Sequence, residues 1–192
     1  NCAPRLLLPS ARVTQHSLNM ARAKRVAVIG GGLSGLAAAK AFKAQGHAVV
    51  GFEQARHLGG VWDPDRSYPG VHTQTSKSLY RFTDLPHPAD HPEWPSGAQM
   101  HGYLMSYAHK HGLASLYRMQ ARVLSMQPGE HGGWVLTIEH GGVQEMQAFD
   151  FVVVASGTFS KAHRVVHAGQ DMFDGRILHS SEFVDPSVVQ GK

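Results

Sequence analysis

The fold is decided by Arg25-Val26-Ala27-Val28-Ile29-Gly30-Gly31-Gly32-Leu33-Ser34-Gly35. The apolar and largely β-branched run over residues 26–29 predicts a buried strand that ends at glycine. Gly30, Gly32 and Gly35 then follow in G-x-G-x-x-G spacing. The first glycine permits a tight turn, the second lets the backbone approach a pyrophosphate, and the third lets the helix pack closely against the strand.

The residues after the glycines complete a strand–turn–helix–strand unit. Residues 33–45 are mostly Ala, Leu, Lys and Phe, which favour a helix. Gly46 suits its C-terminal cap, and residues 48–52 predict a second strand. Glu53 ends that strand, where an acid can accept hydrogen bonds from a ribose diol. The glycine spacing alone is weak evidence, and a glycine-rich turn of another α/β protein is the alternative, but this context favours a dinucleotide site.

Further along the chain the pattern changes from helical to extended. Residues 99–111 predict an amphipathic helix that stops at Gly112. Residues 118–126, 133–140 and 142–149 predict three short strands in an antiparallel meander, and residues 150–155 predict another buried parallel strand. The fold class is therefore α/β: a Rossmann-like domain, with a parallel sheet and flanking helices, into which a small antiparallel β-meander (about 118–149) is inserted.

Composition limits the possible functions. The chain has 192 residues, of which 42% are hydrophobic and 17% charged, as in ordinary globular proteins. Seven of the 18 basic residues precede Glu53 and no acid does, so the rest of the chain is slightly acidic. We therefore predict no nucleic-acid partner. No apolar run is long enough for a transmembrane segment, and a single cysteine permits no internal disulfide.

Residues 1–23 are excluded from the fold prediction. They contain Arg, Ser, Thr and three consecutive leucines but no acid, a composition similar to an organellar targeting peptide. We favour a disordered leader, or sequence upstream of a start at Met20, over a targeting function. We expect a cytoplasmic protein, with organellar targeting by this segment as the second option.

No metal site is predicted. His87 and His91 have the i,i+4 spacing that can bind a metal on a helix. Pro88 and Pro92 oppose a regular helix there, so residues 86–95 are predicted to form a surface loop.

Five stretches, in order along the chain, resemble the N-terminal part of a flavin-containing monooxygenase, of the class B flavoprotein family that also includes Baeyer–Villiger enzymes. The first four are residues 30–35 with Glu53, residues 58–62 (Leu-Gly-Gly-Val-Trp), residues 73–86 (Thr-Gln-Thr-Ser-Lys through Phe-Thr-Asp-Leu-Pro) and residues 152–159. The most diagnostic is the fifth, residues 173–183, which resembles the family fingerprint F-x-G-x-x-x-H-x-x-x-Y. Its positions here are Phe173, Gly175, His179 and, in place of the final Tyr, Phe183.

The resemblance implies FAD and NADPH as cofactors and assigns roles to residues. The glycine turn would hold the FAD pyrophosphate and Glu53 its ribose, while Val61 and Trp62 would line the flavin. Thr73 and Gln74 would approach the NADP region, and Gln74, where the family commonly has Asn, would face the oxygenated flavin as the catalytic amide. His179 would belong to the hinge between two nucleotide domains, or make a structural hydrogen bond. The cofactor-binding set is Gly30, Gly31, Gly32, Leu33, Ser34, Gly35, Glu53, Gly60, Val61, Trp62, Gln74 and Thr75.

The resemblance also implies an activity. NADPH would reduce FAD, O₂ would add at the flavin C4a, and the hydroperoxide would pass one oxygen to a soft nitrogen or sulfur in a small-molecule substrate. The expected division is a leader (1–23), an incomplete FAD-binding domain (24–165) and a fingerprint segment (166–192) leading to an NADPH domain that this chain lacks, because no second G-x-G-x-x-G occurs. The alternatives are a catalytically silent FAD-binding fragment and a nicotinamide-dependent Rossmann oxidoreductase.

Overall fold

A four-stranded parallel sheet forms the centre of the molecule. The computed structural model describes residues 23–158 and 161–191. The strands of this sheet lie in the order β3-β2-β1-β7, and all three neighbouring pairs are parallel. Their bounds are β1 Arg25–Ile29, β2 Ala48–Phe52, β3 Tyr117–Arg118 and β7 Phe151–Val154.

Helix α1, Leu33–Ala44, follows β1 directly and returns the chain to β2. Its Leu36 and Ala39 are fully buried in one cluster with Val28 of β1. A helix between parallel strands covers one face of their sheet, so this packing joins the strand, the turn and the helix in one core. The predicted helix and both strands are confirmed to within one residue at each end.

Helix α2, Gly97–Lys110, packs into the same cluster through Met100, Tyr103, Leu104 and Tyr107. It begins two residues before the predicted start because of a capping box. The Gln99 backbone N–H donates to Ser96 Oγ at 3.3 Å, and the Ser96 N–H donates to Gln99 Oε1 at 2.9 Å. The helix ends at the predicted place, where Gly112 has a φ of +58°.

The antiparallel meander consists of three strands in the order β4-β5-β6. The second and third agree with prediction to within a residue. The prediction of a first strand over residues 118–126 is wrong in one respect, because Arg118 belongs to β3 in the parallel sheet and Gln120, with a φ of +53°, turns the chain before the meander begins. The bounds are β4 Ala121–Pro128, β5 Trp134–His140 and β6 Val143–Phe149.

The meander packs on the face of the parallel sheet that the helices leave uncovered. Side chains alternate between the two faces of a strand, so Val28 packs with the helices while Ala27 points the other way. Ala27 and Phe52 form a second core with residues of the meander, where the rings of Phe52 and Phe149 meet edge to face at 5.9 Å. The sheet is thus covered on both faces, as parallel sheets require.

Residues 161–191 contain only short 3-10 helices among the described residues, at Gln170–Met172, Ser180–Glu182 and Pro186–Val189. The Arg164 guanidinium pairs with Glu182 across this segment. The predicted leader, apart from Ala23, lies outside the described residues, as do Phe159, Ser160 and Lys192. In the part of the chain that the structure describes, no helix has the length and apolar character to cross a membrane.

Candidate functional site

A cavity of about 700 Å³ lies at the carboxyl ends of β1, β2 and β7. In an open parallel sheet this edge is where ligands bind, because the loops that follow the strands surround it. The glycine turn and the start of α1 form one wall, and residues 59–62 and the end of β7 form others. From the predicted set, the lining includes Gly30, Gly32, Leu33, Ser34, Glu53, Gly60, Val61 and Trp62.

The structure requires glycine at two of the three motif positions but not at the third. Gly30 has a φ of +103°, and a Cβ there would lie 2.4 Å from the Ala155 carbonyl oxygen. A Cβ on Gly35 would lie 1.9 Å from the Gly30 carbonyl oxygen, so this glycine brings α1 against the turn. Gly32 differs, because its φ of −80° suits any residue and the nearest atom to its Cβ would be the Gly60 Cα at 3.5 Å. Space for a methyl group therefore exists at Gly32, between two glycines of the cavity wall.

The start of α1 is open to the cavity. Gly32 is its N-cap residue, no side chain of the described residues caps it, and its first turn contains no acid. The unpaired N–H groups and the positive end of the helix dipole favour a bound anion there.

Glu53 is 6% exposed and joins the turn to the end of β2. Its Oε2 accepts a hydrogen bond from the Gly31 N–H at 2.7 Å, and its Oε1 accepts one from the Ala55 N–H at 2.8 Å. These bonds hold the carboxylate at the cavity wall, and each oxygen retains a further lone pair for a ligand hydroxyl.

Tyr117 contacts the glycine turn through its hydroxyl group. Its hydroxyl lies 3.4 Å from the Gly30 carbonyl oxygen, to which it can donate. Burial, followed by the negative charge of Glu53, raises the pKa of the Tyr117 phenol, so the hydroxyl remains protonated and a donor. A Cβ on Gly51 would lie 2.3 Å from its ring, which explains the glycine in β2.

The Gly59–Trp62 turn is anchored to the glycine turn. The Gly59 N–H donates to the Gly31 carbonyl at 3.0 Å, and the Trp62 Nε1–H donates to the Tyr80 hydroxyl at 3.3 Å. Trp62 is buried whereas Val61 is 56% exposed. The turn therefore contributes a largely buried aromatic side chain and an exposed aliphatic one to the cavity wall, a surface suited to a planar apolar ligand.

Positive charge dominates the cavity wall. Arg66, Arg122 and Lys161 line it together with a single carboxylate, that of Glu53. With the start of α1, these side chains create a potential that favours a ligand carrying negative charge next to hydroxyl groups.

A sequence-family model described as "Flavin-binding monooxygenase-like" matches residues 23–192. The chain belongs to this family. Flavin-containing monooxygenase 5 of Homo sapiens is 34% identical, over 88% of this chain and 34% of the relative. A second Homo sapiens relative, "Putative dimethylaniline monooxygenase [N-oxide-forming] 6", is 31% identical with the same coverage. The chain thus spans about a third of the length of these relatives.

Solved structures agree with this family assignment. The crystal structure of cyclohexanone monooxygenase from Rhodococcus sp. Phi1 bound to NADP⁺ superposes with a TM-score of 0.70 at 27% identity, over 83% of this chain and 31% of that one. The chain therefore has the fold of a flavin monooxygenase, with the parallel sheet and the antiparallel meander that the sequence predicts.

Three residues that the resemblance assigns to the site, Thr73, Gln74 and Thr75, do not line this cavity. Thr73 is buried, with its N–H bonded to the Pro95 carbonyl at 3.0 Å, while Gln74 and Thr75 are exposed. They are not among the residues that line the cavity. Gly31 and Gly35 do not line it either, but they act through Glu53 and through helix packing.

One of the four fingerprint residues, His179, lines a neighbouring cavity of about 590 Å³. Gln54, Arg66 and Lys161 line both cavities. The His179 Nδ1 accepts a hydrogen bond from the Ser181 N–H at 3.2 Å, which supports the structural alternative for this residue. Phe173 is exposed, and its ring lies so close to Gly175 that a Cβ there would be 2.3 Å from the ring. Phe183 is half-buried.

Sequence reasoning did not identify several lining residues, namely Arg66, Tyr80, Arg122 and Lys161. None lies in a glycine motif, and each reaches the cavity from a loop or the first meander strand. One available signal was the small-residue end of β7, where Ala155, Ser156 and Gly157 do line the cavity.

Proposed function

We propose that this chain is the FAD-binding portion of an NADPH-dependent flavin monooxygenase that oxygenates soft nitrogen or sulfur nucleophiles. One observation carries the proposal: the uncapped start of α1 opens into the same cavity as the buried Glu53. A diphosphate and a ribose diol are the groups that such a pair recognises.

The residues present fit FAD. The cradle at Gly32 has room that a side chain would fill, which suits the close approach of a pyrophosphate to backbone. Leu33 and Ser34 would contribute N–H groups there, and Glu53 would accept from the ribose. Val61 and Trp62 offer an apolar wall for the isoalloxazine. Arg66, Arg122 and Lys161 would balance the charge of the phosphates.

The chain's own residues bind and orient, whereas the redox chemistry belongs to the cofactor. When bound, FAD would accept reducing equivalents from NADPH and activate O₂. The buried Trp62, and the second core between the parallel sheet and the meander, would keep water from one side of the site. No step is assigned to Gln74, because its side chain is exposed and outside the lining set.

Two relatives support the NADPH and substrate parts of the proposal. The Rhodococcus cyclohexanone monooxygenase was solved bound to NADP⁺. The Homo sapiens relative whose name contains "N-oxide-forming" suggests transfer of oxygen to nitrogen. Because this chain spans about a third of its curated relatives, these parts concern the activity of a longer enzyme.

The Gly32→Ala variant tests the FAD site separately from the fold. Its Cβ meets no atom closer than 3.5 Å, so we expect an unfolding midpoint close to that of the parent chain. The added methyl occupies the pyrophosphate cradle, so we expect FAD affinity, measured by quenching of flavin fluorescence, to fall at least about tenfold.

The matched control is Gly102→Ala, on α2, where a Cβ meets nothing within 4 Å. It should bind FAD as the parent does. A parent chain that binds NAD(P)H but no flavin would support the nicotinamide-dependent alternative. Unchanged FAD binding by Gly32→Ala would place the pyrophosphate elsewhere.

A further inference from the structure

Three side chains that offer metal-ligand atoms converge just after β2, beside the cavity. The His57 Nδ1 lies 3.3 Å from Asp63 Oδ1 and 3.6 Å from Asp65 Oδ2. One ligand atom from each residue lies within 4.8 Å of the other two. The sequence did not indicate this group. From the sequence we predicted no metal site, and only His87 and His91 were considered as metal ligands.

Asp63 is the unusual member, because its side chain is completely buried. Its Oδ1 accepts from the Asp65 N–H at 3.1 Å and faces His57. Its Oδ2 has no hydrogen-bond partner within residues 23–158 and 161–191. A buried carboxylate with one oxygen left without a partner is costly, and a cation bound at this carboxylate would offset its buried negative charge.

We propose that His57, Asp63 and Asp65 bind a divalent transition-metal ion, Zn²⁺ being the ion that suits them best. An imidazole nitrogen and two carboxylate oxygens are ordinary zinc ligands. Atoms held at the zinc–ligand distance around a tetrahedral centre lie about 3.3–3.6 Å apart. Both separations from His57 match that spacing, so only a small movement of the exposed Asp65 would close the site.

The site would stabilise the wall of the FAD cavity. Asp63 directly follows Trp62, and the Pro64–Arg66 turn that carries Asp65 ends at Arg66; both Trp62 and Arg66 line the cavity. A metal bound by His57, Asp63 and Asp65 would tie both ends of the Gly59–Trp62 turn together. This part of the inference rests on the proposed function, whereas metal binding does not.

The competing explanation is a simple ion pair between a protonated His57 and the two aspartates. The two explanations differ in their response to acid. Protons compete with a metal for an imidazole nitrogen and a carboxylate, so metal affinity falls as pH falls. An imidazolium–carboxylate pair is instead strengthened when the imidazole becomes protonated.

The test uses the full chain, freed of metal with a chelator and titrated with Co²⁺ as a spectroscopic probe for Zn²⁺. We expect a Co²⁺ absorption band in the visible that saturates at one equivalent, is displaced by Zn²⁺ and weakens at lower pH. His57→Gln and Asp65→Asn should each lower the Co²⁺ affinity at least tenfold. Both residues are exposed, so both variants should fold, and thermal unfolding in chelator verifies this.

The chain has 14 histidines, His57 included, and two control variants address the others. His91→Gln removes one member of a close histidine pair, in which the Nδ1 atoms of His87 and His91 lie 3.3 Å apart. His109→Gln removes an exposed histidine of α2. Both should bind Co²⁺ like the parent. Three results would each overturn the proposal, whether or not FAD binds. The parent chain shows no saturable Co²⁺ band, or the Co²⁺ affinity is unchanged in both His57→Gln and Asp65→Asn. The third is a loss of Co²⁺ affinity in His91→Gln equal to that in His57→Gln.

Discussion

Glu53 links the fold and the candidate site through a single carboxylate. Both oxygens accept backbone N–H bonds, one from the glycine turn and one from the chain after β2. Replacement by Gln keeps the shape but leaves one oxygen and puts an NH₂ group against a backbone donor. A lost hydrogen bond to a charged group is worth about 1.5–3 kcal/mol. We expect Glu53→Gln to weaken FAD binding by about tenfold or more.

Titration of flavin fluorescence measures this effect, and urea unfolding measures the accompanying loss of stability. Glu130→Gln, in the exposed turn between β4 and β5, is the control and should change neither quantity. Full FAD affinity in Glu53→Gln would show that the carboxylate only holds the turn and that no ribose bonds to it.

At the residue scale, sequence reasoning succeeded where backbone conformation dictates the residue type. The requirement for glycine at positions 30 and 35 follows from a positive φ and from close approach, both of which the motif spacing encodes. Arg66 and Tyr80 could not be found in this way. Their position depends on how long loops return to the cavity, and no local pattern of residues specifies that path.

At the scale of elements, Asp84 joins the two helices. Its Oδ2 lies 3.0 Å from the Lys40 Nζ of α1 and 3.3 Å from the Nε2 of His111, the C-cap residue of α2. The hydrogen bond from Lys40 is the largest cause that holds the pKa of the Asp84 carboxyl below its ordinary value of 3.8. This link therefore stabilises the folded chain while Asp84 is ionised.

The sign of the pH effect follows from the lowered pKa. The stabilisation is fully present above the ordinary value of 3.8 and disappears as pH falls through the lower value of the folded state. We expect Asp84→Asn to reduce the free energy of unfolding at neutral pH and to have little effect in strong acid. Urea unfolding measured from neutral pH to strong acid tests this expectation. The control is Asp90→Asn, at an exposed position of the same loop. A deficit that does not change with pH would mean that packing, not charge, accounts for the loss.

The elements themselves were largely predictable, and the exceptions have local causes. The helices and the buried strands follow from hydrophobic period and from glycine stops. The start of α2 was missed because the capping box of Ser96 and Gln99 precedes the apolar pattern. The split between β3 and β4 was missed because one stretch of alternating apolar and polar residues serves two different sheets, and a left-handed Gln120 gives no signal in residue type.

At the scale of the whole molecule, two cores lie on opposite faces of one sheet, and the cavity opens at its carboxyl edge. The cavity is only partly enclosed. Val61, which lines it, is 56% exposed. Apolar groups that remain in contact with water contribute little to ligand binding. We therefore expect this chain to hold FAD weakly, with a Kd on the order of micromolar or above.

Binding of FAD by this chain can be separated from NADPH-dependent oxygenation. The 192 residues contain one G-x-G-x-x-G turn, and that turn faces the cavity assigned to FAD, so no second turn of this kind is present for NADPH. We expect dithionite to bleach the bound flavin without oxygen, while NADPH does so no faster than it reduces free FAD. The measurement is flavin absorbance in stopped flow, with free FAD as control. NADPH consumption coupled to an oxygenated amine or sulfide product would contradict this expectation, because it would require a nicotinamide site within these 192 residues.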